Sequence, residues 1–312
     1  MADIVVTEFI DPAPLEKLRA RYSVHLDTAL WSKRAELEAA MADAVAIIVR
    51  NRTQVDAGLI AKAGKLRAVG RLGVGLDNID LGACKARGIA VCPAIGANAV
   101  SVAEYVVGSA LYLLRQAAFA STAEIIKGGW PRERAGGGSE LAGRRLGVVG
   151  FGSIGQIVAE RARALGMTIG AYDDFLPADH AAWRHAERQS LANLLADSDV
   201  ITLHCPLTPQ TKGLIGAAEL ARMRKGALLI NTARGGIVDE AALAASLRAG
   251  HLGGAAVDVF VAEPIDAATA AIFAGVPNIV LTPHVAGVTK ESNERISAVT
   301  VENVMRALEQ PR

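Results

Sequence analysis

The sequence predicts an α/β fold with two doubly wound parallel-sheet domains. Short β-branched runs alternate with Ala-, Leu- and Arg-rich stretches along the chain, which is typical of parallel strands joined by crossover helices. The strand candidates are apolar almost throughout, as expected when helices cover both faces of a sheet. The length of 312 residues and the hydrophobic content of 51% are sufficient for two buried cores.

The first alternation of strands and helices occupies the N-terminal third of the chain. Its predicted strands are 3–7, 45–49, 67–70 and 89–91, and its predicted helices are 12–21, 33–42, 56–63 and 79–87. A long apolar helix follows at 98–119, capped by Asn98 or by Ser101, since Glu104 stands at capping-box spacing from Ser101. The Gly- and Pro-rich segment 127–143 predicts a loop or linker.

A second alternation begins at Arg145. Its predicted strands are 145–149, 168–172, 199–203, 226–231, 254–258 and 278–281, and its predicted helices are 153–165, 190–196, 216–223, 239–248 and 290–309. The last of these helices lies beyond the strands of the second unit and is expected to cross back to the first. We therefore predict a discontinuous domain of residues 1–98 and 286–312, with the domain 99–285 inserted into it.

The composition argues against several classes of protein. The 33 Lys and Arg nearly balance the 32 Asp and Glu, and only 4% of residues are aromatic, so neither bulk charge nor base stacking favours nucleic-acid binding. Cys84, Cys92 and Cys205 form no C-x-x-C pair, which argues against a disulfide framework and a metal site. No signal peptide or membrane span is predicted, so the expected location is the cytoplasm.

A glycine fingerprint provides the most informative local signal. Gly150-Phe151-Gly152-Ser153-Ile154-Gly155 follows a predicted strand and opens a predicted helix, which is the context that a dinucleotide-binding turn requires. Gly150 permits the tight turn, Gly152 allows the backbone to approach a pyrophosphate, and Gly155 allows close packing of helix and strand. The N–H groups of the helix N-terminus then face the anion. The inserted domain is therefore predicted to be Rossmann-like.

The acid that follows the next strand indicates which dinucleotide is bound. Asp173 lies 18 residues after Gly155, close to the ~20 residues expected for the carboxylate that binds the ribose. A carboxylate at this point accepts a hydrogen bond from the 2′-hydroxyl and repels a 2′-phosphate. With Asp174 beside it and no Arg in the immediate turn, NAD is favoured over NADP.

Polar residues follow the remaining strands of the second unit. Ligands of open parallel sheets bind beyond the carboxyl ends of the strands, so these residues are the candidates for chemistry. They are His204-Cys205-Pro206, Thr232-Ala233-Arg234, Asp258 with Glu263 shortly after it, and Thr282-Pro283-His284.

An Arg, a Glu and a His at this edge suit hydride transfer from a 2-hydroxy acid. His284 would take the hydroxyl proton, since an imidazole exchanges protons near neutral pH. Glu263 would hold the far nitrogen of that imidazole, and Arg234 would bind the substrate carboxylate with two hydrogen bonds. His204 also follows a strand and is the competing base, or a structural histidine that lines the cofactor cleft.

At these residues the chain resembles the D-isomer-specific 2-hydroxyacid dehydrogenase family, which includes phosphoglycerate dehydrogenases. The matching segments span most of the chain in the order of the family: GRLGVGLDNID (70–80), NAVSVAEYVVGSAL (98–111), LGVVGFGSIG (146–155), HCPLTPQTKGLI (204–215), NTARGGIVDEAAL (231–243), AAVDVFVAEP (255–264) and LTPHVAG (281–287). The resemblance implies a cofactor domain inserted into a discontinuous substrate domain. It also implies that Arg234, Glu263 and His284 are the catalytic residues.

The resemblance assigns further residues to the two ligands. Asp258 is expected near the nicotinamide carboxamide. The backbone N–H groups of Val74 and Gly75 are expected to hold the substrate carboxylate, and Asn78 to support their loop. Beyond the glycine motif with Ser153 and Ile154, the other expected cofactor contacts are Ser101, Asp173, His204, Cys205, Pro206, Thr211, Thr232 and Ala233.

The resemblance also bears on assembly and on one substrate. Members of the family usually dimerise through the cofactor domain, so the segment 117–143 is a candidate contact of a homodimer. Formate dehydrogenases of the same superfamily carry Gln where this chain has Glu263, which argues against formate.

Three arginines in the predicted substrate loops indicate a substrate with a second anionic group. Arg50 and Arg52 follow the strand 45–49 and would point to one side if that segment is extended, while Arg71 adjoins the 72–76 loop. A 2-hydroxy acid with phosphate, sulfonate or carboxylate on C3 fits this arrangement, such as 3-phosphoglycerate, 3-sulfolactate or a malate-like acid. The alternative is that these arginines bind helix ends or acids within their own domain.

The leading prediction is an NAD-dependent enzyme that interconverts such a 2-hydroxy acid and its 2-oxo acid. One alternative is an NADPH-linked glyoxylate or hydroxypyruvate reductase, against which Asp173 argues. An alternative of another class is a non-catalytic NAD-sensing corepressor, against which the complete set of Arg234, Glu263 and His284 argues.

Overall fold

Two compact α/β units make up the described chain. The computed structural model describes residues 2–310. One unit contains the chain up to Asn98 and from Val288 onward, and the other is Ala99–Gly287. Each unit has its own parallel sheet, and helices pack on both faces of each sheet.

Strands and helices alternate in both units. The first unit contains β1 (Ile4–Val6), α1 (Pro12–Arg19), β2 (Val24–Leu26), α2 (Arg34–Met41), β3 (Ala46–Val49), α3 (Ala57–Lys62), β4 (Ala68–Arg71), α4 (Leu81–Ala86) and β5 (Ala90–Pro93). The second contains α5 (Ala99–Leu114), α6 (Gln116–Phe119), α7 (Thr122–Ile126), α8 (Arg132–Ala135), β6 (Arg145–Val149), α9 (Ser153–Ala164), β7 (Thr168–Tyr172), β8 (Glu187–Arg188), α10 (Leu191–Asp197), β9 (Val200–Leu203), α11 (Ala217–Arg222), β10 (Leu228–Asn231), α12 (Glu240–Arg248), β11 (Gly254–Val257), α13 (Ala267–Ala270) and β12 (Ile279–Leu281). The chain then returns to the first unit as α14 (Lys290–Glu309).

The first unit is built on a five-stranded parallel sheet in the order β2-β1-β3-β4-β5. Helices α1 and α14 contribute to the core on one face, and α2, α3 and α4 to the core on the other. Gly70 in β4 allows α14 to approach closely, because a Cβ there would lie 2.7 Å from Val304 Cγ2. The packing of α14 on this sheet makes the first unit discontinuous in sequence.

The second unit is built on a seven-stranded parallel sheet in the order β12-β11-β10-β9-β6-β7-β8. The direction of winding reverses between β6 and β9, which is the switch point where sheets of this kind bind ligands. The register aligns the last residues of five neighbouring strands across the sheet, namely Val149, Leu203, Asn231, Val257 and Leu281. The residue after each of these therefore stands at one edge of the sheet.

Aspartates set the starts of several helices. Asp56 accepts a hydrogen bond from Leu59 N–H at 2.8 Å, and Asp239 accepts one from Ala242 N–H at 2.9 Å. These side chains satisfy N–H groups that have no partner within the helix. They fix the points at which α3 and α12 begin.

Some element boundaries differ from those expected. The helix expected at 98–119 ends at Leu114 and is followed by the short α6. It begins at Ala99, so Ser101 lies inside it, and Asn98 Oδ1 has no hydrogen-bond partner among the described residues; both expected caps are therefore wrong. The segment 127–143, expected to be a loop, contains the four residues of α8. The strands β2 and β8 were not expected, because they are only three and two residues long and partly exposed.

Candidate active site

The polar residues predicted at the strand ends lie side by side in the second unit. Gly150, His204, Thr232, Asp258 and Thr282 directly follow the aligned ends of β6, β9, β10, β11 and β12. Because the strands are parallel and in register, one edge of the sheet collects the glycine turn and the candidate polar groups.

The glycine turn after β6 depends on the absence of side chains. Gly150 has a φ of 90°, and a Cβ there would lie 2.7 Å from Cys205 N. A Cβ on Gly155 would collide with the carbonyl oxygen of Gly150. Around the position of a Gly152 Cβ, by contrast, no atom of the described chain beyond the adjacent residues lies within 4 Å. The first and third glycines are therefore required for packing, whereas the second leaves open space beside the helix start.

The start of α9 is free of a side-chain cap. Its N-cap residue is Gly152, and Ser153 and Ile154 are the first two residues of the helix. Unpaired N–H groups and the positive end of the helix dipole favour an anion at such a point. A pyrophosphate therefore fits this turn.

Asp173 lies against the glycine turn. Its Oδ2 accepts a hydrogen bond from Phe151 N–H at 2.7 Å, and its Oδ1 accepts from Phe175 N–H and Leu176 N–H at 2.8 and 2.9 Å. These three bonds hold the carboxylate beside the turn, where a ribose attached to the bound pyrophosphate would reach it.

His204 is poorly suited to act as a base. Its Nε2 lies 2.9 Å from Thr202 Oγ1, and its Nδ1 is buried without a hydrogen-bond partner among the described residues. Burial lowers the pKa of His204 to about 3, although the residue as a whole keeps some exposure. The imidazole is therefore neutral at physiological pH. Next to it, burial raises the pKa of the Cys205 thiol to about 11, so that thiol stays protonated.

Among the other expected cofactor contacts, some polar groups have hydrogen-bond partners within the protein and others do not. Thr211 Oγ1 donates to the Pro206 carbonyl at 2.6 Å and closes the 206–211 turn. Ala233 N–H donates to Asn231 Oδ1 at 3.1 Å. Thr232 Oγ1, however, is buried and has no partner among the described residues, and Ser101 is buried within α5. The unpaired atoms at Thr232 and His204 are positions where a bound ligand would supply the missing hydrogen bonds.

His284 and Glu263 form a hydrogen-bonded pair in the second unit. His284 Nδ1 lies 2.7 Å from Glu263 Oε2, while Glu263 Oε1 accepts from Phe260 N–H at 2.9 Å. Burial raises the pKa of Glu263, but the bonds from His284 and Phe260 and the charges of His284 and Arg234 outweigh it, so the pKa lies below its usual value. The ionised carboxylate accepts the proton of Nδ1, which leaves Nε2 as the basic atom of the imidazole.

Asp258 holds the turn that carries His284. His284 has a φ of 56°, in the left-handed region that residues other than glycine adopt rarely. His284 N–H donates to the Asp258 carbonyl at 2.8 Å. The next two N–H groups, of Val285 and Ala286, donate to the Asp258 carboxylate at 2.8 and 2.9 Å. Three successive bonds to one residue therefore offset the cost of the left-handed backbone.

A chain of hydroxyl groups supports Asp258 from α5. Thr282 Oγ1 donates to Asp258 Oδ1 at 2.5 Å, and Tyr105 Oη lies 2.6 Å from Thr282 Oγ1. Because Thr282 has used its only hydroxyl proton, Tyr105 is the donor in the second bond. Burial raises the pKa of Tyr105, which keeps the phenol protonated for this role.

Arg234 lies on a turn whose shape is set by neighbours. Asn231 Nδ2 donates to the Arg234 carbonyl at 3.1 Å, and Arg234 Nη1 donates to the Ala233 carbonyl at 2.6 Å. A Cβ on Gly235 would collide with the Phe260 carbonyl, so this turn packs directly on the segment that leads to Glu263. The effect of the Arg234 charge on the Glu263 pKa reflects the same proximity.

The first unit contains the loop expected to bind the substrate carboxylate. Within residues 2–310, nothing accepts a hydrogen bond from the backbone N–H of Val74 or Gly75. Asn78, which is buried, donates through Nδ2 to the Arg50 carbonyl at 3.2 Å and to the Thr53 carbonyl at 2.6 Å. Two neighbouring N–H groups are thus available to an anion, on a loop that Asn78 ties to residues 50–53.

The three arginines of the substrate loops have different environments. Arg71 is buried, and its Nη1 donates to the Leu72 carbonyl at 2.6 Å. Its side chain therefore binds the backbone of the loop that it adjoins. Arg50 lies over the Phe9 ring and Arg52 over the Trp31 ring, with the guanidinium carbon 5.9 and 4.8 Å from the ring centroids. Burial lowers the pKa of the Arg50 guanidinium, and the charge of Glu8 opposes this.

Four residues that hold the site through hydrogen bonds were not identified as its supports from the sequence. They are Tyr105, Thr282, Asn231 and Glu8. Asn231 and Thr282 lie at strand ends within the quoted motifs, so their positions were a usable signal. Tyr105 and Glu8 act across the fold, at separations of 177 and 45 residues from Thr282 and Thr53, and no local pattern indicates such contacts.

Comparison with known proteins decides the family. The model for "D-isomer specific 2-hydroxyacid dehydrogenase, NAD binding domain" matches residues 107–286, more than half of the chain. The chain belongs to this family. It is an NAD-dependent oxidoreductase that interconverts 2-hydroxy and 2-oxo acids. The predictions of the family, the two-domain α/β fold and NAD are thereby confirmed.

The similar proteins differ in their named substrates. The (S)-sulfolactate dehydrogenase of Chromohalobacter salexigens is 53% identical over 309 residues, 99% of each chain. The D-3-phosphoglycerate dehydrogenase of Mycobacterium bovis is 42% identical over 275 residues, which are 88% of this chain but 51% of that protein. This chain thus aligns with about half the length of that relative. A crystal structure of the TT0316 protein from Thermus thermophilus superposes with a TM-score of 0.87 at 35% identity, over 98% of this chain and 96% of the other.

Neither a metal-binding cluster nor a membrane-spanning helix occurs among residues 2–310. Within residues 2–310, no group of three or more His, Cys, Asp or Glu side chains is arranged to hold a metal ion. In the same part of the chain, no helix combines the length and the apolar character needed to span a bilayer.

Proposed function

We propose that the enzyme transfers hydride between NAD and a 2-hydroxy acid that carries a second anionic group on C3, with Arg234, Glu263 and His284 as the catalytic residues. The observation that carries the chemistry is the 2.7 Å contact between His284 Nδ1 and Glu263 Oε2. A histidine fixed in this tautomer has its Nε2 free to exchange a proton with the substrate.

Each catalytic residue has one task in the oxidation of the hydroxy acid. His284 Nε2 takes the hydroxyl proton as the C–H bond at C2 breaks, and Glu263 stabilises the imidazolium that forms. Arg234 binds the substrate carboxylate and polarises the developing carbonyl oxygen. NAD, when bound, accepts the hydride. In the reverse direction His284 returns the proton to the oxygen.

The proposed cofactor site uses the carboxyl edge of the seven-stranded sheet. The open start of α9 would hold the pyrophosphate, and Asp173 would hold the ribose hydroxyls. The buried, unpaired hydroxyl of Thr232 and the unpaired Nδ1 of His204 support a ligand along the ends of β9 and β10. Asp258 would face the nicotinamide carboxamide while it holds the turn of His284.

Arg50 and Arg52, which form no ion pair within the described chain, support a second anion on the substrate. Within the described chain, no carboxylate lies within 4.0 Å of the guanidinium group of Arg50 or Arg52. The alternative that these two cations bind acids of their own domain is therefore not supported. The alternative that they bind helix ends applies in part, since Arg50 Nη2 donates to Asn293 Oδ1 in the first turn of α14. The Arg71 side chain bonds to the backbone of its own loop. Val74 and Gly75 would hold the C1 carboxylate through their backbone N–H groups.

Among the candidate anions, a sulfonate is favoured. The relative named (S)-sulfolactate dehydrogenase matches 99% of its own length, whereas the phosphoglycerate dehydrogenase from Mycobacterium bovis matches about half of its length. The (S) label agrees with a D-specific site, because sulfur outranks oxygen in the priority rules. The label of 3-sulfolactate therefore changes while the arrangement about C2 stays that of D-lactate.

A panel of substrates tests the proposed function. The enzyme is assayed for NADH formation with 3-sulfolactate, 3-phosphoglycerate, malate and D-lactate. We expect kcat/KM for at least one of the three acids with an extra anion to exceed that for D-lactate by at least about tenfold, since an additional charge-assisted contact contributes about 1.5–3 kcal/mol. Equal activity on D-lactate would remove the second anion from the proposal.

Asp173→Ala tests the cofactor site. We expect a higher KM for NADH and a smaller preference for NADH over NADPH, because the variant lacks the carboxylate that binds the 2′-hydroxyl and repels a 2′-phosphate. Asp179→Ala, an exposed acid six residues further on, is the matched control and should keep the preference. An unchanged cofactor preference in Asp173→Ala would contradict the assignment, and a wild-type preference for NADPH would favour the glyoxylate or hydroxypyruvate reductase.

The two units of the enzyme would have different roles, and the enzyme would form a homodimer. The unit formed by the two ends of the chain would be the substrate domain, and Ala99–Gly287 the cofactor domain. A homodimer through 117–143 is supported by the exposure of Phe119, Ile126 and Trp130, at 58, 80 and 78%. A corepressor without activity is disfavoured because His284 and Glu263 keep a reactive geometry.

A further inference from the structure

A buried carboxylate organises the loop that carries two of the candidate substrate arginines. Glu8 is 5% exposed and accepts four hydrogen bonds from the segment Arg50–Thr53, here called the arginine loop. The donors are the N–H groups of Arg50, Arg52 and Thr53, at 2.8, 3.2 and 3.0 Å, and the Thr53 hydroxyl at 2.9 Å. Three N–H groups of one short segment therefore converge on a single side chain.

The arginine loop is also held by its carbonyl groups. Asn78 donates to the carbonyls of Arg50 and Thr53, and the Thr53 hydroxyl lies 2.7 Å from that of Thr7. Because Asn78 follows directly on the loop of Val74 and Gly75, one side chain sets the spacing between the two candidate anion sites. The backbone of the arginine loop is thus fixed before any substrate binds.

Glu8 organises the arginine loop without forming an ion pair with its guanidinium groups. Its oxygens accept from backbone N–H groups and a hydroxyl, and neither guanidinium group has a nitrogen within 4.0 Å of them. A buried carboxylate is stable only when such donors surround it. The two arginine charges consequently stay available to a ligand.

Aromatic rings hold the two arginine side chains. The Arg52 guanidinium lies 4.8 Å from the centroid of Trp31 and forms no hydrogen bond within residues 2–310. The Arg50 guanidinium lies over Phe9 and donates one bond, at 2.6 Å, to Asn293 Oδ1. A ring covers one face of a guanidinium and leaves the N–H groups at its edge free to bind an oxyanion.

We propose that Glu8 and Trp31 determine the specificity of this enzyme for the second anionic group of its substrate. Glu8 is a positioning residue that fixes the backbone from which Arg50 and Arg52 project. Trp31 is the platform that orients Arg52 with its edge toward the anion. The inference rests on the proposed function, since it needs a substrate with such a group.

Steady-state kinetics with 3-sulfolactate and D-lactate test the inference. Glu8→Gln keeps the size of the side chain but places an NH₂ group against N–H donors, which disturbs the arginine loop. We expect the KM for 3-sulfolactate to rise about tenfold or more, with kcat at saturation and the KM for NAD within about twofold of wild type. The KM for D-lactate should rise clearly less than that for 3-sulfolactate, because D-lactate has no group that reaches the arginines and depends on this loop only through Asn78.

Trp31 offers a second test that does not depend on a buried residue. Trp31→Leu should raise the KM for 3-sulfolactate, whereas Trp31→Phe keeps a ring and should retain most of the specificity. His25→Leu, which removes an exposed ring of the same unit, is the matched control and should behave as wild type. If Glu8→Gln fails to fold, the two Trp31 variants alone decide the inference.

The possible failures can be told apart. A wild-type enzyme that uses D-lactate as well as every acid with an extra anion would overturn the proposed function and this inference with it. A wild-type enzyme that does discriminate, combined with variants that change the KM for both acids equally or for neither, would overturn the inference alone.

Discussion

His284→Asn should lower kcat by about 10²- to 10⁴-fold, because the variant loses the base that takes the hydroxyl proton. Asparagine tolerates the left-handed backbone better than most residues, so the φ of 56° at this position does not itself account for the loss. The dissociation constant for NADH should stay near that of the wild type. Stopped-flow or steady-state formation of NADH, together with fluorescence titration of NADH, measures both quantities.

Three further variants serve as comparisons for His284→Asn. His25→Ala removes an exposed histidine of the first unit and should leave kcat unchanged. Glu263→Gln should lower kcat less than His284→Asn, since the base is kept but its tautomer and its charge lose their support. Abolition of turnover in His204→Ala, with turnover kept in His284→Asn, would show that the base is misassigned.

Arg234→Ala should lower kcat/KM by about 10²- to 10³-fold, with a higher KM for the hydroxy acid and a lower kcat together. The arginine both binds the carboxylate and orients C2 toward the reacting ring, so its loss affects binding and the chemical step. Steady-state kinetics with the preferred acid from the substrate panel provide the measurement.

Arg234→Lys separates the charge from the geometry. A lysine keeps the positive charge but cannot form two parallel bonds to a carboxylate, so it should recover only part of the activity. Full recovery would show that a point charge is sufficient and would contradict the proposed two-point contact. Arg222→Ala, an exposed position on α11, is the control and should leave both constants unchanged.

Local patterns predicted the strands near the site well and missed two short edge strands, β2 and β8. The strands Arg145–Val149 and Thr168–Tyr172 have the boundaries expected from their apolar runs, since both faces of the sheet are covered. The strands β2 and β8 are too short and too exposed to leave such a pattern, and they exist because a neighbouring strand supplies their hydrogen bonds. Helix α5 likewise begins at Ala99, without the side-chain caps expected at Asn98 or Ser101.

The sequence was sufficient to name the candidate catalytic residues, but it did not reveal the residues that hold them in place. Arg234, Glu263 and His284 could be named because strand ends and motifs place them at one edge of a sheet. The roles of Tyr105 and Glu8 could not, since each acts on a segment far away in sequence. Likewise, a sequence can show that two histidines follow strands, but only burial distinguishes the neutral His204 from the more exposed His284.

The sequence alone determined the order of strands and helices, the glycine turn and the chemical types available at the strand ends, because these depend on local periodicity and on the freedom of individual glycines. The tertiary structure decided which of those groups can act. Hydrogen bonding and desolvation arise from atoms brought together across the fold. They hold His284 on Asp258 and Glu263, keep His204 neutral, and fix the loop of Arg50 and Arg52 on Glu8 without an ion pair to either guanidinium group among the described residues.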